Sequence, residues 1–151
     1  MNTHRNQRGT TVVEFAVVGL VFFTVLFALI DFSRLFWNLA ALDEATRRGA
    51  RVAAVCPAND PYIAQTALFS GLIPGLGTQH IRIEYLNIDG AEVDPTTAAG
   101  YGSIRYVRVA IENFQLQMFI PGMQSLITMP EFETTIPSES LGRVGTTNVD
   151  C

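Results

Sequence analysis

The sequence predicts an α+β fold, in which a long N-terminal transmembrane helix continues into an amphipathic helix that packs on a small three-stranded antiparallel sheet. Two observations lead to this prediction. Residues 15–30 contain no charged side chain, and two later segments, residues 80–88 and 103–113, alternate apolar and polar side chains. With 151 residues, the chain has room for one membrane segment and one soluble domain of about 90 to 100 residues, near the lower end of common domain sizes.

The apolar block is long enough to cross a bilayer. Residues 10–30 contain only one ionisable group, Glu14, in twenty-one residues, and about twenty apolar residues span the hydrocarbon core of a membrane. A buried core helix is the alternative. However, residues 15–30 are apolar on every face, which is not expected of a helix that lies on a small domain.

The charges of the chain indicate its orientation and argue against one class of partner. His4, Arg5 and Arg8 precede the apolar block without an acidic residue, and positive charge tends to remain in the cytoplasm. We therefore expect a cytoplasmic N-terminus and an exported, periplasmic C-terminal domain. All ten basic residues are arginine, and the fourteen acidic residues form no block of like charge, which disfavours nucleic-acid binding.

The helix is predicted to continue beyond the bilayer, because no proline interrupts residues 12–56 and Pro57 then ends it. Phe36 and Trp37 follow the apolar block. They suit either the outer headgroup layer, where aromatic side chains often lie, or packing on the soluble domain. The apolar face continues at helical spacing with Leu35, Leu39, Leu42, Ala45 and Val52.

The C-terminal part is predicted to form a short helix and three strands. The strands bury one face of their sheet, most simply against the amphipathic part of the long helix. Asp89-Gly90 and residues 100–102 indicate a long hairpin connection between the first two strands. The predicted helix covers residues 62–72, and the predicted strands cover residues 80–88, 103–113 and 131–136.

An ionisable residue near the start of the apolar helix is the unusual feature of the sequence. Glu14 could lie at the cytoplasmic interface, or benefit from the positive end of the helix dipole. The spacing adds information, since a basic leader, Gly9 and a glutamate five residues later resemble the site that prepilin peptidases cut in Flp and Tad-type pilins. The resemblance implies cleavage after Gly9, Thr10 as the new N-terminus, and Glu14 as the fifth mature residue. Phe15 stands where the small Flp pilins commonly have tyrosine.

The resemblance extends through residues 9–54, which are similar to the TadE-like domain. The similarity lies in Gly9 and Glu14-Phe15, in the Asp31 and Arg34 pair where the helix leaves the apolar block, and in residues 45–51. It implies a minor pilin or pseudopilin of the tight-adherence (Tad) pilus with pilin-like architecture. The implied divisions are a prepilin leader at 1–9, a transmembrane and amphipathic helix at 10–56, and an exported domain at 57–151.

The same resemblance implies partners and a location. The implied partners are a prepilin peptidase, other Tad pilins or pseudopilins, the inner-membrane assembly platform and the lipid bilayer. The implied location is the bacterial inner membrane or the extracellular pilus. The alternative is a permanently anchored single-pass envelope protein, with a binding domain and no role in a filament.

Two further features complete the expectations. Cys56 and Cys151 are the only cysteines, and export would place them where disulfides form. We favour a bond between them, the alternative being a packed Cys56 and a loose Cys151.

His80 would be the one histidine left after cleavage and has no catalytic partner at a diagnostic spacing. We therefore expect no enzymatic activity, no metal and no cofactor.

Overall fold

A single long helix provides the frame on which the rest of the chain folds. The computed structural model describes residues 7–68, 71–116, 118, 130–144, 147–148 and 151. The predicted α+β class, with a long apolar N-terminal helix and a three-stranded antiparallel sheet, is confirmed. His4 and Arg5, on which the predicted orientation depends, lie outside the described residues.

The long helix, α1, spans Gln7–Val55 without a break. It ends just before Cys56 and Pro57, as expected from the missing N–H group of proline and its steric effect on the preceding residue. By length and composition, α1 is suited to crossing a membrane. At about 1.5 Å per residue its 49 residues extend over roughly 70 Å, about twice the hydrocarbon thickness of a bilayer.

The remaining elements form a small domain beside the second half of α1. After α1 the chain forms α2 (Pro61–Ala67), a 3₁₀ turn (Thr78–His80), β1 (Ile81–Leu86), α3 (Ala98–Ser103), β2 (Tyr106–Ile111), β3 (Phe132–Pro137) and the short strands β4 (Arg143–Val144) and β5 (Thr147–Asn148).

Local hydrogen bonds explain where the short helices begin. The side chain of Asp60 accepts a hydrogen bond from the Tyr62 backbone N–H at 2.8 Å, with Pro61 at the first helical position of α2. The Thr97 hydroxyl accepts one from the Gly100 N–H at 3.1 Å and begins α3 in the same way. Residues 100–102, predicted to lie in a loop, therefore belong to a helix.

Several predicted boundaries were wrong. The strand predicted over residues 103–113 covers only Tyr106–Ile111, because Ser103 ends α3 and Asn113 has a φ of +55°. The helix predicted over residues 62–72 stops at Ala67. Gly71 has a φ of +76°, which an α-helix cannot include, and Phe69 lies outside the described residues. His80, predicted to begin the first strand, instead closes the 3₁₀ turn that precedes β1.

The three-stranded sheet is antiparallel, with β2 in the centre. Val109 of β2 lies opposite Ile83 of β1 and Thr134 of β3. Because side chains alternate across a strand, these three residues and those two positions away share the face that packs on α1. The opposite face carries charges, with Arg82 Nε 2.8 Å from Glu84 Oε1.

The core lies between α1, α2 and the inner face of the sheet. It has two apolar clusters, one near the end of α1 and one nearer the apolar block. The first contains Ala50, Ala53, Cys56, Ile63, Tyr85, Ile104, Val107, Val109 and Leu141. The second contains Ala41, Leu42, Ala45, Ile73, Leu76, Ile111 and Phe114. The prediction that the sheet packs against the amphipathic part of the long helix is confirmed.

Candidate membrane and assembly surface

The first part of α1 is not covered by the rest of the chain. From Val12 to Ile30 its large apolar side chains point outwards on every side of the helix, and Phe15 is 80% exposed. An apolar surface of this extent is unusual on a soluble protein and marks a membrane or protein contact. We call residues 12–30 the uncovered segment.

The predicted processing residues lie at the beginning of this helix. Gly9 and Thr10 are exposed and belong to α1, and a Cβ atom placed on Gly9 would have no neighbour within 4 Å. The beginning of α1 at Gly9 and Thr10 is therefore accessible to another protein. Thr10 and Glu14 are four residues apart, which places them on the same side of the helix.

Glu14 is an exposed carboxylate within an otherwise apolar surface. Among the residues that the structure describes, it takes part in none of the ion pairs. A charge in that position is costly within hydrocarbon unless it reaches the interface or meets an opposite charge. Phe15 beside it is among the most exposed apolar side chains of the protein.

The surroundings of α1 change at Asp31. This carboxylate is only 2% exposed, and its Oδ1 lies 3.7 Å from Nη1 of Arg34. From here one face of the helix is buried at three- and four-residue intervals. The buried positions on this face include Leu35, Asn38, Leu42, Ala45, Gly49 and Ala53.

The opposite face remains exposed at the same level. Phe36 is 67% exposed and Trp37 is 60% exposed. The sequence left two environments open for these rings. The structure does not pack them on the soluble domain. The rings continue the apolar surface of the uncovered segment to the other side of Asp31.

The second part of α1 approaches the sheet closely because its inward-facing side chains are small. A Cβ atom on Gly49 would lie 3.0 Å from Cβ of Ala67 and 3.1 Å from Cγ1 of Val109. Glycine is thus the residue that allows α1, α2 and β2 to meet here. One turn away, the hydroxyl groups of Thr46 and Thr134 lie 2.8 Å apart and connect α1 to β3.

The C-terminal end of α1 is held by the tail of the chain. The carbonyl of Ala54 accepts hydrogen bonds from the N–H groups of Glu139 at 3.0 Å and Leu141 at 3.3 Å, and that of Val55 accepts one from Gly142 at 2.6 Å. The last carbonyls of a helix have no partner within the helix. Residues 139–142 supply partners, and we call them the tail cap.

Gly142 is required at this position for two reasons. Its φ is +75°, which favours glycine, and a Cβ atom would lie 2.5 Å from the ring of Pro57. Beside the tail cap, the Tyr101 hydroxyl donates a hydrogen bond to the Leu141 carbonyl at 2.8 Å. The guanidinium of Arg143 lies 4.1 Å from the centre of the Tyr101 ring, a cation–π distance.

A disulfide joins Cys56, directly after α1, to Cys151, with their Cα atoms 5.7 Å apart and a sequence separation of 95 residues. It connects the end of the chain to the same end of α1 that the tail cap covers. The sequence-based preference for this pair over two free thiols agrees with the bond that the structure has.

Two polar aromatic residues of the domain have structural contacts. Nδ1 of His80 accepts a hydrogen bond from the Gly77 N–H at 3.0 Å, and its ring lies edge-on to that of Phe114. The Tyr85 hydroxyl accepts one from the Asn59 N–H at 3.0 Å. Burial of this hydroxyl raises the pKa of Tyr85 above its ordinary value.

Residues 9–51 match the family of TadE-like proteins. The TadE-like match begins at Gly9 and includes Glu14, Phe15, Asp31 and Arg34, so the resemblance drawn from these residues is confirmed. It indicates a protein associated with the Tad pilus. The match ends within α1, before the sheet domain, and no curated protein or solved structure matches the chain.

Sequence reasoning missed three contributors to this arrangement. Gly49 was not recognised as a contact point, although a glycine among alanines on one helix face is a signal of close packing. The Thr46–Thr134 contact joins residues 88 positions apart, and no local pattern predicts it. The tail cap also had no sequence signal, because it depends on where the fold brings residues 139–142.

Proposed function

We propose that this protein is a minor pilin or pseudopilin that takes part in assembling a Tad pilus for surface adhesion. The observation that supports it best is the position of the TadE-like match. It covers Gly9, Glu14 and the whole uncovered segment. The large apolar side chains of this segment are exposed in the structure.

The proposed pathway begins with insertion into the bacterial inner membrane, with the N-terminus in the cytoplasm and the sheet domain in the periplasm. A prepilin peptidase then cuts after Gly9 and frees the amine of Thr10. The open surroundings of Gly9 and Thr10 favour access by a peptidase. The protein itself is proposed to have no enzymatic activity and no cofactor or metal.

Assembly would then use the uncovered segment for lateral contacts with other Tad pilins or pseudopilins at the inner-membrane platform. Glu14 is proposed to pair with the N-terminal amine of a neighbouring subunit. Each of these charges is costly in hydrocarbon when alone, and the cost falls when the two meet. A mispositioned neighbour would leave both charges unpaired, so the pair would also select the correct axial register.

The division of α1 into two parts supports this role. Among the described residues, the sheet contacts α1 beyond Asp31, at positions such as Thr46 and Gly49, and the uncovered segment is exposed to neighbouring helices. The disulfide and the tail cap attach the C-terminal part of the domain to the end of α1. A subunit built in this way can exchange lipid contacts for protein contacts without unfolding its domain.

The test is to co-express the chain with a prepilin peptidase and to measure the mature N-terminus by mass spectrometry. We expect a product that starts at Thr10, and no product from the Gly9→Ala variant. Glu14→Ala should still be cut, yet should fail to enter pili when the remaining Tad components are present. Glu14→Asp is the matched variant that keeps the charge and shortens its reach.

An uncut wild-type chain in a system that cuts a known prepilin would contradict the proposal. The protein would then be interpreted as a permanently anchored envelope protein whose external domain binds a partner. Normal incorporation of Glu14→Ala into pili would leave the processing step intact and remove the proposed role of Glu14.

A further inference from the structure

Three aromatic side chains surround α1 on its exposed side where the uncovered segment ends. Phe32 is 44% exposed, Phe36 is 67% exposed and Trp37 is 60% exposed. We call these three residues the aromatic collar. At about 100° per residue, Phe36 and Trp37 project from the half of the helix that faces away from Asp31 and Leu35, both of which are buried, and Phe32 lies at the edge of that half.

The position of the collar along α1 matches the thickness of a bilayer. From Glu14 to Trp37 the helix rises about 35 Å, at about 1.5 Å per residue. A hydrocarbon core is about 30 Å thick, and the headgroup layers extend it to about 40–45 Å. If Glu14 lies at the inner boundary, Trp37 therefore reaches the outer headgroup layer, whose mixed polarity suits an indole ring.

Of the charged residues at the same height, Asp31 is turned away from the collar, whereas the side chain of Arg34 is 40% exposed. Asp31 is almost fully buried on the opposite face, and its carboxylate lies near the guanidinium of Arg34. The lipid-facing side of α1 at this level therefore presents rings, while the side towards the domain carries the acid. A helix that continued from the membrane directly into water would gain nothing from having the rings and the carboxylate on opposite sides.

We propose that the aromatic collar inserts into the outer headgroup layer of the bilayer and seats the sheet domain directly on the membrane surface. The occupant of this exposed surface is lipid, because the collar continues the uncovered segment without a gap. The inference rests on the membrane location in the proposed function, but it depends neither on cleavage after Gly9 nor on pilus assembly.

The chain offers a direct measurement, since Trp37 is its only tryptophan. The full chain would be reconstituted in phosphatidylcholine–phosphatidylglycerol vesicles containing lipids brominated either near the headgroup or near the end of the acyl chain. We expect blue-shifted emission that shallow bromines quench about twofold more strongly than deep ones, as suits an interfacial ring. Tenfold dilution of the protein with lipid should leave the emission unchanged.

Two matched variants calibrate the depth by moving the tryptophan along the same helix. Trp37→Phe combined with Leu26→Trp places the probe near mid-membrane, where deep bromines should quench it more strongly. Trp37→Phe combined with Val55→Trp places the probe about 27 Å beyond residue 37, where neither lipid should quench it. Both receiving side chains are partly exposed in the structure.

Three results would overturn the proposal. If Leu26→Trp is quenched by lipid while Trp37 is quenched only by aqueous iodide, the helix spans the membrane but the collar stays in water. If Trp37 emission shifts to the red on dilution, a second copy of the chain covers the collar. If Leu26→Trp also escapes lipid quenching, the membrane span fails, and the proposed function loses its location as well.

Discussion

The two parts of α1 form one unbroken helix with opposite surroundings. Before Asp31 the side chains are large and apolar on every face, and the rest of the chain leaves them uncovered. After Asp31 one face carries small residues such as Ala45 and Gly49, and this face lies against the sheet. The backbone is the same in both parts, so the size and polarity of the side chains decide whether the domain covers the helix or leaves it uncovered.

This comparison also separates two sources of stability. The second part is held by packing, by a buried hydroxyl pair, by the tail cap and by the disulfide. In the first part the large apolar side chains are exposed in the structure. Equivalent substitutions in the two parts should therefore have unequal effects on the free energy of unfolding of the sheet domain.

The largest effect is expected from the disulfide that holds the end of the second part. Replacing both Cys56 and Cys151 with serine should lower the free energy of unfolding by about 2–4 kcal/mol, because the bond closes a long loop in the unfolded chain. Denaturant unfolding of the detergent-solubilised protein, followed by near-ultraviolet circular dichroism, measures this loss. Wild-type protein treated with a reductant is the control, and an unchanged unfolding midpoint would contradict the prediction.

The next effect compares Gly49 with Gly19, two of the three glycines in α1. Gly49→Leu should destabilise the domain by about 1–3 kcal/mol, because its side chain has no space against Ala67 and Val109. Gly19→Leu is the matched control, since a Cβ atom there would have no neighbour within 4 Å. Thermal unfolding of both variants in the same detergent checks the prediction. Equal melting temperatures would mean that the close approach at Gly49 is not important for stability.

A smaller effect compares two threonines that bond back to their own helix. The hydroxyl of Thr46 donates to the Asp43 carbonyl and also meets Thr134, whereas that of Thr24 donates only to the Leu20 carbonyl. Thr46→Val should cost about 1 kcal/mol, because it leaves the Thr134 hydroxyl without this partner.

The matched variant Thr24→Val should leave the unfolding of the domain unchanged. A double-mutant cycle with Thr134→Val isolates the contact between the two hydroxyls. If Thr46→Val and Thr134→Val are simply additive, the 2.8 Å contact contributes nothing measurable.

The smallest effect is a dependence on alkaline pH. Burial raises the pKa of Tyr85 above its ordinary value of 10.0, so the unfolded chain loses this proton at a lower pH than the folded protein does. The associated stability is complete below about pH 10 and is lost as the pH rises through the folded pKa. The absorbance of ionised tyrosine at alkaline pH, compared between Tyr85→Phe and the exposed-site control Tyr62→Phe, measures the titration of Tyr85. Tyr85 titrating like Tyr62 in the folded protein would contradict the prediction.

Much of the fold was accessible from local patterns. The apolar block and the absence of proline predicted α1, and alternation predicted β1 and β2 to within a few residues. Such patterns work because an uninterrupted apolar run and a strict alternation of apolar and polar side chains are both visible in neighbouring residues. The end of α2 was missed, because it depends on Gly71 in the left-handed conformation. The helix α3 was missed, because it depends on a single capping hydroxyl, that of Thr97.

The sequence by itself determined the membrane-length helix, the strands of the sheet and the TadE-like start with Gly9 and Glu14, since each of these depends on a pattern of residues that are close together in the chain. Only the tertiary structure decided that one face of α1 is buried from Asp31 onwards, that Gly49 is a contact point and that residues 139–142 close the helix. These features join residues far apart in the chain. They arise from the shape of the packed core and the need to satisfy the last carbonyls of α1, which no local pattern records.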